Sequence, residues 1–388
     1  MKQRNATIEL MRFLFASSII FFHIAGTLWD RKLILFSGEE FKLTLFRNGY
    51  IGVEFFFLVS GFLMAKSIYR RQSQACIGKL QPEPVGVFIG KLQPEPVGVE
   101  TIRFLWGKVK SLWPYYLPAC AIGCLLFLLT KENLHPGWFV PYLPSLFFLQ
   151  ETGLSDASFT GLPSWYISSM LIAMAVLYPI CRKFYFSFTS LFGLLLGILM
   201  TGALIQLNGN LAGTGQDWWA ITFACNFRAL GEIALGTVCY EASRRLSQIS
   251  FSTGKRILFS LLQVAGYGLA FFYACCYTDR RFSGQVLLVL AVAITLSFSE
   301  VGYFAQRKKH AALNRFFLYL GALSLPIYLL QIFLIRLVST YGSALRPREQ
   351  CLLMYVGILA AGVVLHAIVS RLQRLTRAKH LPPSHNAA

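Results

Sequence analysis

Charged residues are scarce in this sequence, and acidic ones are the scarcest. The 388 residues include 36 Lys and Arg but only 17 Asp and Glu, and charged residues make up 14% of the chain, against about 25% in ordinary soluble domains. The 55% of apolar residues, among them 34 Phe, exclude a disordered chain, which would be polar and poor in Phe. The same values argue against a soluble enzyme and indicate a membrane protein with several spanning segments.

Paired cysteines and metal-ligand patterns are also missing. The nine cysteines form no CxxC pair, and no cysteine and histidine stand at zinc-ligand spacing. We therefore expect no metal site and no permanently bound cofactor, and we interpret the cysteines as small apolar residues of helices. The first apolar stretch has no small-residue cleavage site and contains Glu9, Arg12 and His23, so it is expected to be a retained helix and not a signal peptide.

Ten apolar runs are long enough, or nearly so, to cross a hydrocarbon layer about 30 Å thick, which takes about 20 residues. The runs are Leu10–Trp29, Tyr50–Tyr69, Leu112–Thr130, Trp165–Ile180, Leu191–Leu207, Trp219–Tyr240, Ile257–Tyr277, Val286–Phe304, Phe316–Val338 and Cys351–Val369. They predict an all-α transmembrane bundle of about ten helices in the lipid bilayer, formed by residues 1–375 and followed by a cytoplasmic tail at 376–388.

The basic residues predict the orientation. If the N-terminus is cytoplasmic, most Lys and Arg fall in cytoplasmic loops, as the positive-inside rule requires. Both termini are therefore expected in the cytoplasm and the protein in the cytoplasmic membrane. Because the positive charge is scattered over short loops, no nucleic acid is expected as a partner.

Two loops stand out. The segment IGKLQPEPVGV occupies residues 77–87 and again 89–99, and because its prolines are incompatible with a helix interior we interpret residues 71–100 as a flexible cytoplasmic loop enlarged by a tandem duplication. A docking role for this loop is the alternative.

The outside loop 131–164 is rich in aromatic residues and proline but too short to span, so it is expected to lie in the membrane interface or to re-enter. Its aromatic residues are either an interfacial belt or a stacking platform for a sugar.

Ionisable residues inside a membrane are costly and therefore mark candidate sites. Arg12 and His23 are eleven residues apart, which places them on one face of a helix about 16 Å apart along its axis. Glu54, near the outer end of the second run, is expected at a depth similar to that of His23. A carboxylate beside an imidazole fixes its tautomer and raises its basicity, as a general base requires. The alternative is that the two side chains only satisfy each other or a water molecule.

Five further residues have two interpretations each. Arg228 and Glu232, at i and i+4, form either an ion pair within a helix or the polar lining of a substrate channel. Ser60 either allows close helix packing or lines the same channel. Trp165 and Tyr166 either belong to the interfacial belt or border the site of an acceptor substrate.

Two motifs point to a known family. The first helix has R-x10-H at Arg12 and His23, and the second has GVEFFFLVSGF from Gly52 to Phe62. Together they resemble the acyltransferase-3 family of ten-helix membrane O-acyltransferases. Weaker similarities occur at Lys108–Tyr115 (KVKSLWPY), Pro163–Tyr166 (PSWY), Arg228–Gly236 (RALGEIALG) and Gly321–Leu330 (GALSLPIYLL). The chain departs from the family pattern at Glu54, where Asp is usual, before the third-helix proline, where Lys108 and Lys110 replace Arg, and at Gln331, where His is common.

The resemblance implies transfer of an acyl group, usually acetyl, from cytoplasmic acyl-CoA to a hydroxyl of a cell-surface or lipid-linked glycan. Arg12, Lys108 and Lys110 are then expected to hold the CoA phosphates at the cytoplasmic edge. His23 is expected to deprotonate the acceptor hydroxyl or to carry the acyl group, and Glu54 to orient it. The alternatives are a transporter or flippase for a lipid-linked sugar or small solute, and a non-catalytic membrane scaffold.

Overall fold

The computed structural model describes residues 5–28, 33–34, 40–41, 45–78, 95–130, 137, 139–154, 162–212, 217–303 and 311–379. Its helices are α1 (Ala6–Leu28), α2 (Ile51–Gly78), α3 (Val97–Thr130), α4 (Trp165–Lys183), α5 (Tyr185–Ser187), α6 (Gly193–Asn208), α7 (Ala224–Leu246), α8 (Thr253–Cys276), α9 (Ser283–Ser299), α10 (Ala311–Tyr341) and α11 (Pro347–Lys379). A π-helical turn, Phe188–Phe192, joins α5 to α6. Two antiparallel hairpins pair β1 (Leu33–Ile34) with β2 (Glu40–Phe41) and β3 (Trp218–Trp219) with β4 (Thr222–Phe223).

The helices form a membrane bundle. Within the described residues, eight helical segments are long and apolar enough to cross a bilayer, with α5, the π-helical turn and α6 forming one of them. Two further helices match the remaining predicted runs: α9, an apolar helix of 17 residues, and α7, a largely buried helix that contains several charged residues. The predicted all-α transmembrane bundle is therefore confirmed, and each of the ten apolar runs overlaps one helix.

Two helices extend further than the apolar runs indicate. α2 continues to Gly78 and α3 begins at Val97, so both ends of the predicted loop 71–100 are helical. The first proline of the repeat is Pro82, so no proline interrupts α2 before that point, and Pro96 directly precedes α3, where proline is well tolerated. Residues 79–94, which hold most of the repeat, lie outside the described residues. α11 likewise continues to Lys379, past the predicted start of the tail, and residues 380–388 are not described.

The predicted outside loop 131–164 returns along α3. Two 3-10 helical segments, Val140–Phe147 and Gln150–Thr152, lie in this loop. The Tyr116 hydroxyl donates to the carbonyl of Ser145 at 2.8 Å, although Tyr116 lies about 21 Å before the end of α3. Residues 131–136, 138 and 155–161, which include Trp138 and Phe159, lie outside the described residues.

α7 is the central helix. It packs against α2, α4, α6 and α9, and most of its residues are buried. Its approach to α2 depends on two glycines, because a Cβ atom at Gly61 would collide with the carbonyl oxygen of Ile233 and one at Gly236 with that of Leu58. Small residues allow helix backbones to approach closely within membranes, so the glycine that follows Ser60 has a packing role.

We expect Gly61→Ala to destabilise the protein, because the new methyl group would push α2 away from α7. Overpacking of this kind costs about 1–3 kcal/mol, which thermal unfolding of the purified protein in detergent would detect as a lower melting temperature. Gly202→Ala in α6 is the matched control, since no atom lies within 4 Å of an added Cβ there. Equal melting temperatures for the two variants would contradict the packing role.

Candidate functional site

Two cavities share a wall inside the bundle. The first, about 590 Å³ in volume, lies at the predicted cytoplasmic side between α1, α2 and the end of α9, and we call it the vestibule. Its lining residues are Asn5, Ile8, Glu9, Arg12, Val59, Leu63, Lys66, Ser67, Arg70, Arg71, Gln74, Phe298 and Glu300. The second, about 370 Å³, is lined by residues of α1, α2, α3, α4 and α10, and we call it the inner cavity. Both are lined by Arg12, Val59 and Leu63, and we call these shared residues the junction.

Arg12 lies at this junction. Its Nη1 is 3.2 Å from Oε2 of Glu9, and its side chain is 32% exposed. Because α2 continues from Leu63 to Gly78, about 22 Å further towards the predicted cytoplasm, Arg12 is not the outermost basic residue on this side. α2 supplies further positive charge to the vestibule.

Three basic residues of α2 complete the vestibule. Lys66, Arg70 and Arg71 line it together with Arg12, and Arg71 also pairs with Glu100 of α3 at 3.4 Å. Sequence reasoning missed these residues because it assigned them to the general positive charge of a cytoplasmic loop. The signal that could have found them is their spacing. If α2 is extended past its apolar run, this spacing places all three residues on one wall of the vestibule.

Lys108 and Lys110 point in different directions. Residues two apart on a helix are separated by about 200°, so the two side chains cannot line the same cavity. Lys108 lines the inner cavity, with its Nζ 5.5 Å from the ring centroid of Phe104. The Nζ of Lys110 lies 5.5 Å from the ring centroid of Trp106, and Lys110 does not line either of the two cavities.

His23 lies one helical turn beyond the inner cavity. Ile19 lines that cavity, and Arg12, Ile19 and His23 fall on one face of α1, because separations of seven and eleven residues are each within about 20° of whole turns. The Nδ1 atom of His23 is 2.9 Å from the carbonyl oxygen of Ile19. A carbonyl only accepts hydrogen bonds, so Nδ1 carries the proton in the neutral ring and the lone pair is on Nε2. Gln331 of α10 is a polar neighbour of the ring.

Glu54 pairs with Arg228 and not with His23. Oε1 of Glu54 lies 2.5 Å from Nη2 of Arg228, whose Nε lies 3.2 Å from Oε1 of Glu232. All three side chains are at most 1% exposed, and we call them the ion triad. Among the described residues no hydrogen bond joins Glu54 to His23. The ion pair expected within α7 is thus present, but as part of a contact between two helices.

The offset between α1 and α2 explains this pairing. Gly52 lies against Phe15 and Ile19 of α1, so Glu54, two residues along α2, is about 12 Å closer to the cytoplasm than His23. The expected equal depth assumed that α2 starts level with the end of α1. The carbonyl of Ile19 therefore takes the orienting role that the sequence suggested for Glu54.

The residues of the PSWY motif lie in three different environments. Trp165 faces the ion triad, with its ring centroid 5.8 Å from Cζ of Arg228. Tyr166 lines the inner cavity, and its hydroxyl is 3.2 Å from Oγ of Ser60. The carbonyl of Pro163 accepts a hydrogen bond from the hydroxyl of Tyr328. Ser60 and Tyr166 therefore line a cavity, whereas Arg228, Glu232 and Trp165 line neither the vestibule nor the inner cavity.

Comparison with known proteins identifies the family. A family model described as an acyltransferase domain matches residues 5–371. Neither the curated proteins nor the solved structures include a match. Because the match covers nearly the whole chain, and the chain folds as a bundle of membrane helices, this multi-pass membrane protein belongs to the acyltransferase-3 family.

Proposed function

We propose that the protein transfers an acyl group, most simply acetyl, from cytoplasmic acyl-CoA to a hydroxyl of a cell-surface or lipid-linked glycan, in the cytoplasmic membrane. One observation carries the proposal: two cavities that share Arg12, Val59 and Leu63 in their walls lie between three basic side chains of α2 and Ile19, one helical turn from His23. CoA has a polyanionic head and a long arm that ends in the thioester, and the shape and charge of the two cavities match this distribution. Acyl-CoA acts here as a substrate, and no resident cofactor is required.

The vestibule supplies the charge for the donor's head. Its four basic residues, Arg12, Lys66, Arg70 and Arg71, outnumber its two carboxylates, Glu9 and Glu300, and guanidinium groups bind phosphate through paired hydrogen bonds. Lys108, which lines the inner cavity together with Arg12, adds a further positive charge where the diphosphate meets the arm. The inner cavity is mostly apolar beyond that point, as the arm requires.

His23 supplies the base. Its Nε2 accepts the proton of the acceptor hydroxyl while that oxygen attacks the thioester carbon. The new C–O bond forms, the C–S bond breaks, and its electron pair leaves on the CoA sulfur, which takes up the proton from His23. The ion triad holds α2 against α7 and so keeps the cavity walls in place.

A transfer assay tests this function. Purified protein in proteoliposomes is given radiolabelled acetyl-CoA and the glycolipid fraction of its host cells, and label is expected in the glycolipid. Mass spectrometry of surface glycans from cells with and without the protein would identify the acceptor. Solute uptake without dependence on acyl-CoA, and no label transfer, would favour the transporter alternative.

We expect Lys108→Ala and Lys110→Ala to differ in their effect on the KM for acyl-CoA. Only Lys108 lines the inner cavity, and a hydrogen bond to a charged group contributes about 1.5–3 kcal/mol, so Lys108→Ala should raise the KM for acyl-CoA by about 10-fold or more. Lys110→Ala should leave the KM within about twofold. Equal effects of the two substitutions in steady-state transfer assays would contradict a phosphate-binding role specific to Lys108.

A further inference from the structure

The hydroxyl groups that line the inner cavity differ in whether an oxygen atom accepts their proton. Five hydroxyl side chains line it: Ser60, Ser111, Tyr166, Ser324 and Tyr328. Three of them donate to backbone carbonyls, namely Ser111 to Lys108 at 2.7 Å, Ser324 to Gly321 at 2.8 Å and Tyr328 to Pro163. Ser60 and Tyr166 have only each other and the sulfur of Met170.

One of the two hydroxyl protons of Ser60 and Tyr166 has no oxygen acceptor among the described residues. Each hydroxyl has one proton to donate, and the contact between Oγ of Ser60 and the Tyr166 hydroxyl, at 3.2 Å, uses only one of the two. The other proton has only Sδ of Met170, at 3.3 Å from Ser60 or 3.8 Å from Tyr166, and a thioether is a weak acceptor. Among the described residues, therefore, no oxygen accepts one O–H group that faces the cavity.

A similar pair elsewhere in the bundle does not have this deficit. The Tyr267 hydroxyl lies 2.9 Å from Oγ of Ser297, which donates to the carbonyl of Ala293 at 2.8 Å. Both protons of that pair therefore have oxygen acceptors, and neither residue lines the vestibule or the inner cavity. The unused donor is a feature of the cavity and not of tyrosine–serine pairs in general.

The position of the pair identifies which part of the donor it meets. Ser60 is flanked on α2 by Val59 and Leu63, which form the junction with Arg12. Val53, which lines the inner cavity together with Ile19, is about 10 Å further along α2. The thioester has to reach His23, beyond Ile19, so it is the part of the arm nearer the phosphates that passes Ser60 and Tyr166.

We propose that the Ser60–Tyr166 hydroxyl pair donates a hydrogen bond to an amide carbonyl of the pantetheine arm of CoA. This proposal rests on the proposed function, since it assumes that acyl-CoA is the donor. Amide oxygen is a strong acceptor, and the arm presents its amide carbonyls between the diphosphate and the sulfur. The pair thus fixes how far the arm enters the cavity, and Ser60 and Tyr166 are positioning residues for the thioester.

Binding of CoA and of acetyl-CoA to the purified full-length protein, measured by isothermal titration calorimetry, tests the proposal. Both ligands contain the arm, but only acetyl-CoA has the thioester carbonyl. The double variant Ser60→Ala/Tyr166→Phe, which has neither donor, is expected to weaken the binding of both ligands by the same factor, about 3–10-fold for one neutral hydrogen bond. Each single variant should lose less, because the remaining hydroxyl no longer donates within the pair and has its proton free for the arm.

The control variant is Tyr267→Phe, whose affinity for CoA should stay within about twofold of wild type, and melting temperatures show whether each variant is folded. Unchanged affinities in the double variant would overturn the proposal. A loss confined to acetyl-CoA would also overturn it, by assigning the pair to the thioester carbonyl. Wild-type protein that binds CoA but transfers no acetyl would overturn the proposed reaction alone, and wild-type protein that does not bind CoA would overturn both.

Discussion

Replacing Arg228 with methionine is expected to prevent the protein from folding normally. The substitution leaves Glu54 and Glu232 buried without the positive charge between them. Removing one member of a buried ion pair costs about 3–5 kcal/mol because an uncompensated charge remains in a medium of low dielectric constant, and here two carboxylates lose the same partner. Size-exclusion chromatography and thermal unfolding in detergent should show aggregated protein or a strongly lowered melting temperature.

Two further variants test whether the destabilisation of Arg228→Met comes from unpaired charges in the ion triad and not from the change of side chain. Arg228→Met combined with Glu54→Gln and Glu232→Gln removes all three charges with little change of volume, and replacing a complete buried ion pair with neutral groups is often tolerated. We therefore expect the triple variant to recover most of the lost stability. Arg346→Met, which removes an exposed partner of Glu349, should leave the melting temperature unchanged. Normal folding of Arg228→Met alone would contradict the role assigned to the ion triad.

His23→Ala is expected to abolish most of the acyl transfer without unfolding the protein. General-base catalysis contributes about 10²–10⁴ in rate, and the Nδ1 hydrogen bond to Ile19 leaves Nε2 as the base. The transfer rate at saturating acyl-CoA should fall by this factor. The affinity for CoA should be nearly unchanged, because His23 does not line the vestibule or the inner cavity.

The matched control is His366→Ala in α11. Nδ1 of His366 lies 2.9 Å from the Tyr115 hydroxyl, and His366 lines neither the vestibule nor the inner cavity, so its loss should leave transfer unchanged. If His23→Ala transfers acetyl at the wild-type rate, His23 is not the base. If CoA affinity falls together with the rate, His23 acts in donor binding.

The sequence predicted those features of the site that depend on the geometry of a single helix. Arg12 and His23 share a face of α1, as predicted, because the helical period alone decides it. The same arithmetic separates Lys108 from Lys110, although the sequence was interpreted as placing both at the phosphates. The charged wall formed by Lys66, Arg70 and Arg71 depends on α2 continuing past its apolar run, and hydropathy carries no information on where such a helix ends.

The sequence by itself determined that the chain folds as a bundle of membrane helices and which polar residues lie within them, because hydropathy and run length are local properties set by the thickness of the hydrocarbon layer. Only the tertiary structure decided which helices face each other and at what offset. Gly52 against α1 and Gly61 against α7 set these offsets and so bring Glu54 to Arg228 instead of His23. Contacts between helices depend on rotation and vertical shift together, and both are set by the closest approach of small residues in the packed bundle.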